Sequence, residues 1–206
     1  MWSGDSTTTP EELTEAIRLA GLDAVAITDH NTIAGALALA ESGELGCTVI
    51  IGEEVRTVEG DLIGLFLRDR VPAGFTSLMA AAAIRNQGGV VYVPHPGDEN
   101  RHSLGSAPIG ALAAAGLLDV VEVLNAKCTQ GYEGSTHGAA VAAASDAHVP
   151  AALGAAWTEV EACDLTDPAS FLRAHNRGTL GGSRYDPHRE WTARVVPAGL
   201  SIDERR

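Results

Sequence analysis

No stretch of the 206 residues is apolar for the roughly 18 positions a bilayer span requires. The richest, Ile109 to Leu124, is broken by Asp119 and Glu122. The first residues carry neither the basic nor the apolar segment of a secretory leader, so a cytoplasmic location with no membrane partner is expected. Cysteine is sparse. Cys47, Cys128 and Cys163 are odd in number and far apart, which excludes a disulfide framework and a zinc-knuckle spacing and predicts buried or semi-buried thiols in a reducing compartment. Aromatics make up only 4% of the chain, so the core must be built from Val, Ile, Leu and Ala. Basic residues are few: 14 Lys and Arg against 27 Asp and Glu give a net charge of -13, which excludes a broad surface for duplex nucleic acid. An anionic substrate is still compatible, because bound metal ions can supply local positive charge. No Gly-x-Ser-x-Gly elbow marks a serine nucleophile.

The length suits one domain, residues 1–206, with a substantial core. Thr9-Pro10-Glu11-Glu12 predicts a helix start, with Thr9 as N-cap, Pro10 in the first turn and Glu12 closing a capping box; Gly21 ends that helix. Strands are expected at Ala24 to Thr28, Thr48 to Ile51, Leu62 to Leu67, Val90 to Val93, Val120 to Leu124, Ala140 to Ala144 and Thr179 to Gly181. Helices are expected near Ile33 to Glu41, Phe75 to Asn86, Pro108 to Ala115 and Pro168 to His175. Such alternation predicts βαβ units and a parallel sheet. The tail after Tyr185 has no periodicity and is expected to pack loosely.

Three short clusters stand where apolar runs stop: Thr28-Asp29-His30, Pro94-His95-Pro96 and Ser145-Asp146-Ala147-His148. His and Asp placed repeatedly at strand ends suit a metal site at the C-terminal mouth of an α/β barrel. Taken alone, Asp29-His30 reads equally as an N-capping Asp beside an incidental His. The flanking prolines restrict the backbone of His95 and favour a ligand or catalytic role. Asp146 and His148, two apart, can serve one metal cluster. Of Glu53 and Glu54, strand alternation lets one face the mouth; Glu54 is the choice, with Glu53 turned outward. Asp61 reads as a ligand or as a turn residue, and Asp5 as a loop residue.

With Gly4-Asp5-Ser6, Thr9-Pro10-Glu11-Glu12-Leu13, Gly52-Glu53-Glu54 and Glu122-Val123-Leu124-Asn125, these clusters form an ordered set over nearly the whole chain. It resembles the PHP (polymerase and histidinol phosphatase) family of metal-dependent phosphoesterases. The resemblance implies a distorted (β/α)7 barrel with two or three divalent ions, Mn, Zn or Fe, at its C-terminal mouth. It implies metal ligands at Asp5, His30, Glu54, His95, Asp146 and His148. Many members have His where this chain has Asp61. The family opens with a strand ending His-x-His-Thr ahead of a Ser-Gly-Asp-Ser type loop, which would fall upstream of Met1. The first barrel strand is therefore expected to be missing, with a gap beside Ala24 to Thr28 and Asp5 on an N-terminal arm. The short, Gly-rich stretch between Asn125 and Asp146 also departs from the family's usual helix.

The function expected from this is hydrolysis of a phosphate monoester or nucleotide-type phosphodiester by a metal-bound hydroxide. Glu54, His95 and Asp146 are the expected catalytic centre, with Glu54 as the bridging carboxylate. Arg101 and His102 either bind a non-transferred phosphate or form an exposed solvated pair. The expected partner is a small phosphorylated substrate, a nucleotide among the candidates. A non-catalytic binding module and an oligonucleotide exonuclease or proofreading accessory are the alternatives.

Overall fold

Helix α1, Pro10–Ala20, begins where its sequence dictates. The Thr9 hydroxyl accepts from the Glu12 N–H at 3.2 Å, the Glu12 carboxylate accepts from the Thr9 N–H at 2.8 Å, and Gly21 closes the helix in the left-handed region at φ 65°. The computed structural model describes residues 4–6, 8–189 and 191. After α1 come β1 Ala24–Ile27, α2 Ala34–Ser42, β2 Thr48–Arg56, β3 Asp61–Leu65, α3 Ser77–Asn86, β4 Val90–Val93, α4 Ser106–Ala114, β5 Val120–Asn125 and β6 Ala140–Ala144. A 3₁₀ turn Pro150–Ala152, β7 Ala156–Glu159, α5 Pro168–His175 and β8 Thr179–Gly182 complete the order.

Six strands run in sequence order, β1 to β6, and curl into an open, distorted barrel wall. Strands β1, β2, β4, β5 and β6 point the same way, so their C-terminal ends share one mouth. The exception to the expected parallel sheet is β3, antiparallel to both neighbours. The cause is local: Arg56 pairs with Asp61 across a turn in which the Thr57 hydroxyl donates to the Gly60 carbonyl at 2.5 Å, and so short a link cannot make a parallel crossover. Gly60 has φ 152°, and a Cβ there would meet the Leu104 nitrogen at 2.5 Å, so the hairpin tip packs directly on the loop that carries Arg101 and His102.

Both faces of the wall are buried. Val55, Leu62, Val91 and Val93 face outward under α3 and α4, packing on Ile84, Ile109 and Leu112. Ile50, Ile63, Leu65, Val90, Tyr92 and Val120 face inward. The same two-residue period sends Glu54 inward and Glu53 outward. Glu53 does not reach solvent, however. It is fully buried beneath the loop after β3, where its carboxylate accepts from the Val71 N–H at 2.7 Å. Burial raises its pKa, against the lowering effect of that hydrogen bond.

Beyond β6 a separate two-stranded ribbon, β7–β8, leans on the edge of the sheet, and the Thr158 hydroxyl caps both the N–H and the carbonyl of Ala143. On the side of β1 away from β2 no strand is paired among the described residues. A cavity of about 1350 Å³ extends from that edge to β6 and β7. No helix forms between β5 and β6, residues 126–139 being turns and loops. Of the tail, residues 186–189 and 191 are described and the rest lies outside the described residues. This part is packed: Trp191 is buried, stacks on Tyr185 at 5.7 Å and donates its indole N–H to the Asp186 carbonyl at 2.7 Å. No helix among the described residues is long and apolar enough to cross a membrane.

At the floor of the cavity, His175 is 6% exposed, lies 5.0 Å from the Phe171 ring and has no partner for Nε2 among the described residues. Burial holds its pKa below the ordinary 6.5. Below pH 6.5 an unfolded chain takes up a proton that the folded one resists. Stability from this group is therefore full above 6.5 and is lost as pH falls toward the lowered folded value. His175→Phe is expected to flatten the drop in melting temperature between roughly pH 7 and pH 5. Equal acid sensitivity in the two proteins would refute the assignment.

Candidate metal centre

The barrel mouth gathers side chains from five separate segments. His30 lies just past β1 and pairs by an isolated parallel bridge with Glu54 of β2, fastened by Asn31 N–H to the Glu54 carbonyl at 2.9 Å. Glu54 stands between two imidazoles: Oε2 is 3.7 Å from His30 Nδ1, and Oε1 is 3.1 Å from His95 Nε2. Asp5 reaches the same cluster from the N-terminal segment, with Oδ2 3.6 Å from His30 Nε2 and 3.1 Å from His148 Nε2. His148 Nδ1 is 3.4 Å from Asp146 Oδ1. The six residues named from the sequence therefore form one connected chain of contacts.

Asp61 joins them. One donor atom from each of His30, Glu54 and Asp61 lies within 4.8 Å of the others. Asp61 opens β3 directly opposite Arg56 and is held by His102 Nδ1 at 3.1 Å and Arg56 Nε at 3.4 Å. His102 thus sits beside a buried carboxylate, and Arg101 donates to Asp146 and lies 3.4 Å from Asp98.

The support beneath the donors is well developed. His95 follows β4 with φ 30°, and Asp146 follows β6 with φ 50°, both in the left-handed region that non-glycine residues seldom occupy. The His95 backbone N–H donates to Glu122 Oε1 at 3.2 Å, and its Nδ1 lies 2.8 Å from the Ser103 hydroxyl, which leaves Nε2 directed at the cluster. Asp146 Oδ2 accepts from Arg101 and from Asn125 Nδ2, the latter at 3.1 Å, so Oδ1 is the oxygen turned toward His148, 3.4 Å from its Nδ1. Glu122, 3% exposed, accepts from Tyr92 at 2.6 Å and Asn125 at 2.6 Å; burial pushes its pKa up to about 7 in spite of these bonds.

Burial by itself would lower the pKa of His95, but the Glu54 hydrogen bond and the fields of Asp146 and Glu122 hold it above the ordinary value. The hydrogen bond that His148 donates to the Asp5 carboxylate raises its pKa, against burial and the nearby Lys127. Imidazoles that carboxylates draw toward the charged form occupy positions where a cation is favoured. Mixed imidazole and carboxylate donors at these separations fit Mn, Fe or Zn. Glu122, Asn125 and Lys127 receive no role in the sequence reading, yet all three reach the cluster from the end of β5.

A family model described as PHP domain matches residues 1–156, and one described as PHP-associated matches residues 135–180. The chain belongs to the PHP family. An uncharacterised protein of Methanocaldococcus jannaschii, MJ1587, is 37% identical over 123 residues, covering 59% of this chain and 69% of that protein. Among solved structures, a two-domain protein of Bacteroides vulgatus containing a predicted PHP-like metal-dependent phosphoesterase superposes with a TM-score of 0.71 at 19% identity. That match covers 88% of this PHP chain and 62% of the Bacteroides chain, less than two thirds of it. PsfC of Pseudomonas syringae gives a TM-score of 0.61 at 16% identity, covering 84% of this chain and 82% of its own. At such identities the two structures speak for the PHP fold.

Proposed function

We propose that this PHP protein is a cytoplasmic, metal-dependent phosphoesterase that hydrolyses a small phosphate monoester or a nucleotide-type phosphodiester. The observation that carries the reading is Glu54: one carboxylate from β2 with an imidazole beside each oxygen, His30 at 3.7 Å and His95 at 3.1 Å, a donor set that would hold divalent ions on both sides of it. In this reading Asp5, His30, Glu54, His95, Asp146 and His148 hold two or three divalent ions, Mn, Zn or Fe, and Asp61 adds a further oxygen donor. Ions so held polarise phosphoryl oxygens and lower the pKa of water from about 16 toward 7.

The chain's own residues set the geometry. Ser103 and Glu122 fix the ring and backbone of His95, while Arg101 and Asn125 hold one oxygen of Asp146 so that the other faces inward. Arg101 and His102, each already beside a carboxylate of the cluster, are assigned the outer contacts to the leaving group. The cavity of about 1350 Å³ that runs along the open edge of β1 down to His175 also opens at the mouth beside His30, Glu54 and His148, and it has room for a nucleotide-sized molecule. The acidic balance of the chain favours such ligands over long nucleic acid strands.

The test is turnover by protein loaded with Mn or Zn of an aryl phosphate, a nucleoside monophosphate and a short oligonucleotide. Hydrolysis of at least one, abolished by a chelator and restored by the metal, is expected. Metal-loaded protein that turns over none of them would overturn the reading in favour of a binding module.

A further inference from the structure

The chain has a single lysine, Lys127; its other 13 basic residues are arginines. That lysine does not stand on the solvated exterior. It follows β5 and enters the cluster, its ammonium 3.0 and 3.2 Å from the two ring nitrogens of His148 and within the fields of Asp146, Asp5 and Glu54. Its aim is set by the backbone on both sides. The Asn125 side-chain oxygen accepts the Lys127 N–H at 2.9 Å, while the next residue, Cys128, accepts the Tyr185 N–H at 3.2 Å and donates its thiol to Asp98 at 3.0 Å.

Among the described residues the Lys127 ammonium forms no ion pair with a carboxylate. A partly buried ammonium whose only side-chain neighbour within hydrogen-bond reach among the described residues is an imidazole has donors to spare for an anion that meets it in the working state. Arg101, whose field Lys127 feels, already faces Asp146 and Asp98. A compact ammonium with three rotatable donors suits a phosphoryl oxygen at close quarters, where the planar fork of arginine demands a fixed bidentate geometry.

We propose that Lys127 takes a non-bridging oxygen of the substrate's phosphoryl group and is its anchor beside the metal ligands. This rests on the phosphoesterase reading above. Lys127 is a substrate-binding residue in this assignment and supplies neither the nucleophile nor a proton.

The test compares wild type, Lys127→Met and Lys127→Arg, all loaded with Mn. It measures metal content, melting temperature, the Kd for inorganic phosphate, and kcat and KM for an aryl phosphate. Lys127→Met should raise the phosphate Kd and the KM by about 10- to 100-fold, the range for a hydrogen bond to a charged group, with metal content and melting temperature unchanged. Lys127→Arg, which keeps the charge but not the compact ammonium, should recover only part of the affinity. Unchanged phosphate affinity in Lys127→Met would overturn the proposal, and so would a loss of metal in step with the loss of phosphate, since Lys127 would then only support His148. Wild-type protein that holds metal but neither binds phosphate nor hydrolyses any ester would sink the phosphoesterase reading itself. The two failures are thus distinct.

Discussion

His95→Ala is expected to lose most of the bound metal and to lower phosphoesterase turnover by more than about 100-fold, beyond the range seen when only a supporting partner of a ligand is removed. Two contacts go at once and a cavity is created. Glu54 Oε1 loses the imidazole 3.1 Å away, the Ser103 hydroxyl loses its partner at 2.8 Å, and a buried hole opens where the 6%-exposed ring stood. Glu54 is the carboxylate shared by the two halves of the cluster, so its displacement propagates to His30 as well. Metal content by elemental analysis and kcat/KM for an aryl phosphate are the measurements. His137→Ala, at an exposed position far along the chain, is the control and should change neither. Full metal occupancy with wild-type turnover in His95→Ala would remove His95 from the site.

Ile84→Ala is expected to cost about 2–5 kcal/mol of stability, the range for truncating a buried aliphatic side chain, and to lower the melting temperature by roughly 10 °C in a chain of this size. Ile84 on α3 is fully buried in the outer core and is seated over the two glycines that let helix and sheet approach. A Cβ on Gly64 of β3 would lie 2.8 Å from Ile84 Cγ1, and one on Gly89 would lie 2.9 Å from Cγ2. Backbone that close cannot collapse far into the space the side chain leaves, which places the cost away from the low end. Met79 on the same helix is 51% exposed, and Met79→Ala should stay within about 0.5 kcal/mol. Chemical denaturation of both variants checks the contrast. Equal stabilities would show that α3 is not packed as described.

Local chemistry made several elements legible in the chain itself. Thr9, Pro10, Glu12 and Gly21 bound α1 on their own, because a capping box and a left-handed glycine act within a few residues. The runs Val90–Val93 and Ala140–Ala144 are strands as their apolar content demands, and Pro168–His175 is a helix capped by Asp167. By contrast, β7 is only Ala-Trp-Thr-Glu. It becomes a strand through its pairing with Thr179–Gly182 and through the Thr158 hydroxyl on Ala143, contacts that no local pattern encodes. The outward turn of Glu53 follows from alternation, but its burial depends on Val71, eighteen positions away, folding over it.

The site divides in the same way. Strand ends followed by His or Asp were visible as His30, His95, Asp146 and His148, since a parallel wall sends every such end to one mouth. The contact of Asp5 with His148, the entry of Asp61 through an antiparallel hairpin and the turn of the lone lysine inward were settled only when distant segments met. Periodicity and capping are short-range properties that a chain carries in its order of residues. Which carboxylate stands beside which imidazole depends on sheet curvature and loop docking, and these are set by the packing energy of the whole fold.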